Sequence, residues 1–355
     1  MNAVTPQRSS RPIAIWLLVG VAMIIIQVLL GGITRLTGSG LSITEWKPIM
    51  GALPPMNDQE WNTAFEKYQQ IAQYKYVNAH FTLGDFKFIF FWEWFHRLWA
   101  RLIGVVFLVP FIIFLVQRRF RPAMVKPMII LFLLGALQGL VGWIMVQSGL
   151  DESERIYVSH YKLAIHFILA LGLLCYAVWF ALKLLVKEEQ FVFQPVLRKF
   201  TIWLVSLLLI QLIYGALMAG LKAATYAPTW PLINGDWMPT IVRNETHTVG
   251  NNLLTDNPLV IHFIHRNLAY IITILVVAWW WKARKVTASL LFRRTRSLPL
   301  WLVCIQVTLG VFTVLNALEP DRFLWLGIAH QFVAMLLLLS LVWMIYLIRS
   351  KQVHS

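Results

Sequence analysis

Charged residues are scarce in this sequence, and acidic residues are the scarcest. Of its 355 residues only 13% are charged, with 16 acids against 31 lysines and arginines, whereas 59% are hydrophobic. Soluble domains carry about 25% charged residues. The shortage of charge, together with a mean hydropathy of +0.66, excludes an ordinary soluble protein and predicts a chain embedded in a membrane.

Cysteine is also scarce. The chain has two, Cys175 and Cys304, and both lie in apolar stretches. Without a pair in any polar loop, the sequence predicts neither a structural disulfide nor a thiol redox relay. The first apolar stretch lacks the small-residue cleavage pattern of a signal peptide, so we expect it to remain in the protein as a membrane span.

Long apolar runs, in contrast, are abundant. A helix needs about 20 apolar residues to cross about 30 Å of hydrocarbon. Eight stretches meet this requirement, so we predict an all-α polytopic membrane protein with eight transmembrane helices. The predicted spans are 12–33, 89–116, 127–148, 159–182, 200–221, 259–281, 298–318 and 324–348.

The net charge of +15 is distributed unevenly along the chain. If the N-terminus is inside, the inner segments hold 18 lysines and arginines in 61 residues, and the outer segments hold 9 in 107. This asymmetry is the positive-inside bias, so we predict that both termini face the cytoplasm. The basic balance then reflects membrane topology and argues against a nucleic-acid partner.

Four histidines lie near the start of the even-numbered spans, and each is followed four residues later by alanine. These two positions share one face of a helix, so the small residue leaves room beside the imidazole for a flat ligand. A lone buried histidine is usually structural, but four at matched positions favour axial ligation of heme iron. We therefore predict two bis-histidine heme sites toward the outer face. The pairs are His96/Ala100, His166/Ala170, His265/Ala269 and His330/Ala334.

The odd-numbered spans carry a second pattern, Gln-x-x-x-Gly, beginning at Gln27, Gln138, Gln211 and Gln306. Because His96-Arg97 returns 169 positions later as His265-Arg266, the whole arrangement looks duplicated. We predict two pseudo-symmetric four-helix bundles, formed by residues 1–190 and 191–355. Glutamine and glycine are common where membrane helices pack closely. We therefore interpret these residues as packing contacts in which the glutamine forms a hydrogen bond between helices.

Four cations remain inside the predicted spans, and all lie within five residues of one of these histidines. One interpretation without a functional role is that these side chains extend from the helix ends to the membrane surface. Because the cations cluster around imidazoles, we instead predict salt bridges to heme propionates. The cations are Arg97, Arg101, Lys162 and Arg266. We also expect His262, three residues before His265, to support that ligand.

The first predicted outer loop, residues 34–88, is the longest. Asn57 and Glu60 have the spacing of a helix-capping box, and aromatic residues follow at helical spacing at Trp61, Phe65 and Tyr68. We expect an interfacial helix lying over the opening of the first bundle. The third outer loop, with residues 229–235, is expected to cover the second bundle.

Several short motifs follow one another in a defined order along the chain. They are Gly31-Gly32-x-Thr34-Arg35-Leu36-Thr37, Trp46-x-Pro48, Phe86-Lys87-x-Ile89-Phe90, Glu93-x-x-His96-Arg97, Gln138-x-x-x-Gly142-Trp143, Pro231-Leu232-x-x-Gly235, His265-Arg266-x-x-Ala269-Tyr270 and His330-Gln331. In this order they closely resemble the heme A synthases, membrane enzymes that convert heme O to heme A for cytochrome oxidase. The similarity covers nearly the whole chain, and the long first loop is of the proteobacterial and mitochondrial type. Asp85 and Ala100 stand where the family often has glutamate and glycine.

The resemblance implies a division of labour between the bundles. His265 and His330 would hold a resident heme b, whereas His96 and His166 would receive the substrate heme O. The reaction would oxidise a porphyrin ring methyl group to a formyl group in successive steps, with water as the oxygen source.

Glu93 matches the family's acid, and its counterpart in the second bundle is His262. We expect Glu93 to be catalytic, either as a base or as an electrostatic partner for developing positive charge. The alternative is an ion pair with Arg97, four residues later on the same helix.

The resemblance further implies a bacterial inner membrane as the location, with a heme O synthase and an electron carrier as partners, and leaves a homo-oligomer open. Two other classes compete with it. A di-heme b-type electron-transfer protein also needs four histidines but no acid beside one pair. A heme transporter with repeated bundles should show helices broken at mid-membrane. Only a synthase changes the mass of the heme.

Overall fold

The computed structural model describes residues 11–45, 50–150, 156–243 and 252–350, and the Trp46-x-Pro48 motif lies outside these ranges. Within them, eight helices are long and apolar enough to cross a membrane, which confirms the predicted all-α polytopic fold. The helices are α1 (Arg11–Leu36), α2 (Asp58–Gln69), α3 (Leu83–Val116), α4 (Pro122–Leu150), α5 (His160–Leu185), α6 (Pro195–Leu221), α7 (Thr240–Arg243), α8 (Leu253–Asp256), α9 (Pro258–Ala283), α10 (Leu290–Thr295), α11 (Leu298–Leu315) and α12 (Pro320–Leu347). The seventh span consists of α10 and α11 together.

The remaining regular elements are short. Single helical turns occur at Met50–Ala52, Tyr74–Asn78, Glu188–Gln190 and Ala223–Tyr226, and the two strands are β1 (Val192–Phe193) and β2 (Ile348–Arg349). The strands pair in parallel and join the segment between the two halves to the end of α12. Arg198 reinforces this junction because its guanidinium donates to the carbonyl of Ile345 at 2.7 Å and to that of Ile348.

The second span begins earlier than its apolar stretch. We predicted a start at residue 89, whereas α3 begins at Leu83. The Thr82 hydroxyl accepts a hydrogen bond from the N–H of Asp85 at 3.3 Å, and the Asp85 carboxylate accepts one from the N–H of Thr82 at 2.8 Å. This reciprocal capping extends the helix into polar sequence. Glu93 and His96 therefore lie well inside a continuous helix and not at its entrance.

Four helices form the centre of the structure: α1, α5, α6 and α12 contact one another in a ring. Outside this ring, α3 packs against α1 and α4 against α5, and in the second half α9 packs against α6 and α11 against α12. Buried side chains such as Leu174, Leu204, Trp279 and Met335 fill the centre. The helix pairings of the first half recur in the second, and the division into two bundles at residue 190 stays a prediction.

The first predicted outer loop contains the helix α2, which packs against the N-terminal end of α3. Asn57 caps α2 by accepting a hydrogen bond from the N–H of Glu60 at 2.9 Å. The α2 side chains Trp61, Phe65 and Tyr68 contact Phe86 and Phe90 of α3. Burial raises the pKa of Tyr68 to about 12, so its hydroxyl stays protonated and donates to Gln73.

Candidate functional site

Each of the four predicted histidines lies half-buried on an even-numbered span and faces the Gln-x-x-x-Gly segment of a neighbouring odd-numbered span. From the sequence alone, those glutamines and glycines are interpreted as packing contacts between helices. In the structure they form the surface on which the imidazoles rest. The sets are Gln27 and Gly31 with His96, Gln138 and Gly142 with His166, Gln211 and Gly215 with His265, and Gln306 and Gly310 with His330.

The glycines let each imidazole lie directly against helix backbone. A Cβ atom added at Gly142 would stand 2.8 Å from Cε1 of His166, and one at Gly310 would stand 3.0 Å from Cε1 of His330. The corresponding distance is 3.2 Å at both Gly31 and Gly215. Real Cβ atoms rarely approach so closely, so any larger residue would push the ring away from its helix.

The glutamines contact the rings through their side-chain amides. In all four sets the amide nitrogen lies 3.1–3.4 Å from Nε2 of the histidine. The amide oxygens of the same four glutamines are buried and have no hydrogen-bond partner among the described residues. A buried acceptor without a partner costs free energy, and its occurrence at four matched positions points to a shared role.

The rings of the C-terminal pair of histidines lie close enough together to share one metal ion. The ring centroids of His265 and His330 are 6.4 Å apart, and their planes are inclined by 67°. Two metal–nitrogen bonds of about 2 Å each, as between imidazole and zinc, would fit between such rings. Nδ1 of both histidines is buried without a partner among the described residues. These residues therefore fit bis-histidine ligation of a heme iron.

The N-terminal pair is built from the same parts, with His96 on α3 and His166 on α5. The alanines that follow the four histidines, however, do not share one environment. Ala100 is exposed, whereas Ala170 and Ala334 are buried in the central core. On α5 and α12 the small residue thus serves helix packing, and the close approach to each ring comes from the glycine of the neighbouring helix.

Glu93 lies on α3, one turn before His96, and is only 2% exposed. One carboxylate oxygen accepts hydrogen bonds from the Ser42 hydroxyl at 2.7 Å and the Ile43 N–H at 2.8 Å. The other forms an ion pair with Arg97 at 2.5 Å. Arg97 in turn donates to the carbonyl oxygens of Ile43 at 3.0 Å and Glu45 at 3.2 Å. Together Glu93 and Arg97 fasten the start of the first outer loop to α3.

His262 and Arg266 do the same on α9. The Arg266 guanidinium donates to the carbonyl oxygens of Thr229 at 2.9 Å, Leu232 at 3.1 Å and Pro231 at 3.2 Å. It also lies 2.9 Å from Nε2 of His262, which is 1% exposed. Residues 229–232 are thereby held against α9, and His262 contacts Arg266 directly. That this loop covers the second bundle stays a prediction.

The other two cations lie beside these groups. Arg101 is one turn beyond Arg97 on α3, and Lys162 is one turn before His166 on α5; both are half-buried. Lys162 forms no hydrogen bond or ion pair with another described residue. Propionate binding by Arg97, Arg101, Lys162 and Arg266 stays a prediction, and the first and last of these also hold an outer loop.

The chain is similar to known proteins over nearly its whole length. A family described as cytochrome oxidase assembly protein, COX15-CtaA, matches residues 14–342. A heme A synthase of Rhodospirillum centenum is 41% identical over 99% of this chain and 92% of the relative. Heme A synthases of Rhodopseudomonas palustris and Flavobacterium psychrophilum are 43% and 38% identical, over 95% and 93% of this chain and 89% and 96% of their own. The chain belongs to the COX15-CtaA family of cytochrome oxidase assembly proteins.

Proposed function

We propose that this protein is a heme A synthase, which oxidises a methyl group of heme O to a formyl group. The names of its relatives support this activity. The observation that carries the proposal is the asymmetry between two otherwise matched histidine pairs. Among the residues that the structure describes, a buried carboxylate, Glu93, lies beside the N-terminal pair alone, and the equivalent position in the other half is His262.

The two histidine pairs then serve different hemes. His265 and His330 would hold a resident heme b, and His96 and His166 would bind the substrate heme O. The 6.4 Å between the rings of His265 and His330 supports bis-histidine binding in the second half. In the first half the support comes from glutamine and glycine contacts that match those of the second. Bound heme b would supply reversible one-electron redox chemistry.

The proposed reaction balances with water as the oxygen source. Converting a methyl group to a formyl group with one water releases four protons and four electrons, and a membrane electron carrier would accept the electrons. The chain's own residues would bind heme O, set its orientation and exclude bulk water. The first outer loop, which is fastened by Glu93 and Arg97, would cover this site.

Glu93 would act as a fixed negative charge. Its carboxylate already accepts hydrogen bonds from Ser42, Ile43 and Arg97. A proton shuttle must exchange its partners, whereas an electrostatic partner for positive charge developing at the substrate works best when it is held rigid. We therefore favour the electrostatic role over the general base for Glu93.

The membrane arrangement completes the proposal. The eight apolar helices make this a multi-pass membrane protein. The asymmetry of lysine and arginine supports cytoplasmic termini in the inner membrane of a bacterium, with both heme sites toward the outer face. A heme O synthase would supply the substrate. The proposed reaction is compatible with a monomer and with a homo-oligomer.

Product analysis tests the proposed function. The chain is co-expressed with a heme O synthase in a bacterium that makes no heme A, and extracted hemes are separated and weighed by mass spectrometry. We expect heme A to appear only when this chain is present. Recovery of heme O unchanged beside a protein rich in heme b would instead identify a di-heme electron-transfer protein.

A further inference from the structure

Each of the four histidines has beside it a glutamine whose hydrogen-bonding capacity is half used. A side-chain amide offers both donors and an acceptor. Here the amide nitrogens contact the imidazoles, while the oxygens of Gln27, Gln138, Gln211 and Gln306 are buried without a partner among the described residues. Packing between helices would not require an unpaired acceptor next to every one of four rings.

The imidazoles have a complementary deficit. A histidine that binds iron through Nε2 needs an acceptor for its Nδ1–H, and such partners fix the orientation of the ring. In the C-terminal pair, Nδ1 of His265 and of His330 is buried and also lacks a partner among the described residues. An unpaired acceptor and an unpaired ring nitrogen thus lie on neighbouring side chains of the same site.

In the N-terminal pair the amide already reaches this nitrogen. The amide nitrogen of Gln27 lies 3.3 Å from Nδ1 of His96, and that of Gln138 lies 3.2 Å from Nδ1 of His166. Turning an amide about its last bond exchanges its nitrogen and oxygen while the helix stays in place. The same amide nitrogens also lie 3.2 Å and 3.4 Å from Nε2 of the two rings. The exchange, together with a rotation of the ring that frees Nε2 for a metal, would therefore place an acceptor beside Nδ1. At Gln138 it would also give up the hydrogen bond to the carbonyl of His166 at 3.0 Å.

We propose that the four glutamines are positioning residues, each accepting the Nδ1–H of an axial histidine and so setting the orientation and electron-donating strength of that ligand. This inference rests on the proposed heme-binding function. The Gln-x-x-x-Gly pattern then has one purpose at both of its ends: the glycine lets the ring lie on the helix, and the glutamine sets its rotation.

The proposal predicts a signed effect on the heme held by His265 and His330. A stronger acceptor at Nδ1 makes the imidazole a better donor to iron, which stabilises the ferric form. Replacing Gln211 or Gln306 by glutamate should therefore lower the midpoint potential of this heme. Replacement by leucine removes the acceptor and should raise the potential. The low-spin ferric signal in electron paramagnetic resonance should shift in the leucine variants, because the rings lose their rotational constraint.

The experiment uses the purified full-length protein and four variants, Gln211→Glu, Gln211→Leu, Gln306→Glu and Gln306→Leu. Thr308→Val is the matched control for Gln306, because both residues lie on α11. The hydroxyl that this variant removes donates to the carbonyl of Cys304 on the same helix. Gly310→Ala tests the other end of the pattern against Gly172→Ala, where an added Cβ meets no atom within 4 Å. Redox titration, heme content and the resonance signal are measured for each.

Midpoint potentials that rise from the glutamate variant through the wild type to the leucine variant would support the acceptor role, provided that both controls stay at the wild-type value. Heme loss in the leucine variants with retention in the glutamate variants would also support it. Potentials and signals that stay at the control value, or heme loss in both variants of one position, would overturn it. Production of heme A by the wild type judges the proposed function separately, because that result does not depend on the order of the potentials.

Discussion

The two halves of this protein hold their histidines alike but surround them with different charge. Glu93 and Arg97 in the first half and His262 and Arg266 in the second occupy equivalent places and fasten an outer loop in equivalent ways. The Glu93 carboxylate neutralises its arginine, whereas His262 accepts a hydrogen bond from Arg266 and leaves its charge in place. Arg101 and Lys162 add further positive charge in the first half only, so the difference lies in these two pairs: an ion pair in the first half and an arginine hydrogen-bonded to an imidazole in the second.

The halves also differ in how much of their peripheral helices, those outside the central ring, is buried. None of the most apolar stretch of α3 is buried inside the chain, against 33% of that of α9. For α4 the share is 6%, and for the span formed by α10 and α11 it is 11%. The first half therefore presents more of its outer helices to lipid, which fits the half that would exchange an apolar substrate with the membrane.

Removing a predicted heme ligand should have the largest effect, and the effect should differ between the two halves. We expect His265→Ala and His330→Ala to abolish most of the b-type absorbance of the purified protein. His96→Ala and His166→Ala should leave that absorbance largely in place while heme A falls below detection by mass spectrometry. His80→Ala, at an exposed histidine, serves as the control. Equal bleaching by all four substitutions would show that the halves do not divide the work as proposed.

Removing the charge of Glu93 should have the next largest effect. Glu93→Gln keeps the shape of the side chain, so we expect both hemes to remain bound while heme A output falls about 10²-fold or more. Glu66→Gln, on an exposed part of α2, should behave as the wild type. Hydrogen exchange of residues 42–45 separates two explanations. An unchanged loop with lost output supports a direct electrostatic role, whereas normal output would leave Glu93 only its tie to the loop.

Loosening each loop separately should have a smaller effect. Arg266→Leu leaves the carbonyl oxygens of Thr229, Pro231 and Leu232 without their donor, and each hydrogen bond to a charged group contributes about 1.5–3 kcal/mol. We expect faster hydrogen exchange in residues 229–232 and several-fold faster heme loss. Arg266→Lys should do less of both, because its ammonium lacks the planar fork.

Replacing the equivalent arginine of the first half, Arg97, tests whether each arginine holds its own loop. Arg97→Leu should speed exchange in residues 43–45 and leave residues 229–232 unchanged. Arg322→Leu, at an exposed arginine, should alter neither loop. Heme retention at the wild-type level in Arg266→Leu, with the loop loosened, would show that Arg266 binds no propionate.

Much of the fold was predictable because it depends on local properties of the chain. The eight spans follow from the lengths of apolar runs, and α2 follows from the spacing of Asn57, Glu60 and three aromatic residues. The start of α3 was missed because Thr82 and Asp85 extend the helix with polar residues that a hydropathy count excludes. Element starts depend on caps, and caps depend on a few hydrogen bonds.

The candidate site was predictable only in part. The four histidines were found by their repeated position, and the four glutamines had the same signal, one per odd-numbered span. Their role was missed because a glutamine next to a glycine is equally suited to helix packing. Nothing local to Gln211 indicates that His265, on another helix, will rest on it.

By itself the sequence determined the membrane class, the number of spans, the family and the repeated positions of the four histidines, because composition and motif order are properties of a chain read in one dimension. Only the tertiary structure decided that Glu93 meets Ser42 and Ile43, and that Arg266 holds the third outer loop. Those contacts join segments far apart in sequence. They exist because the packing of the apolar helices brings the loops against α3 and α9, where buried charges need partners.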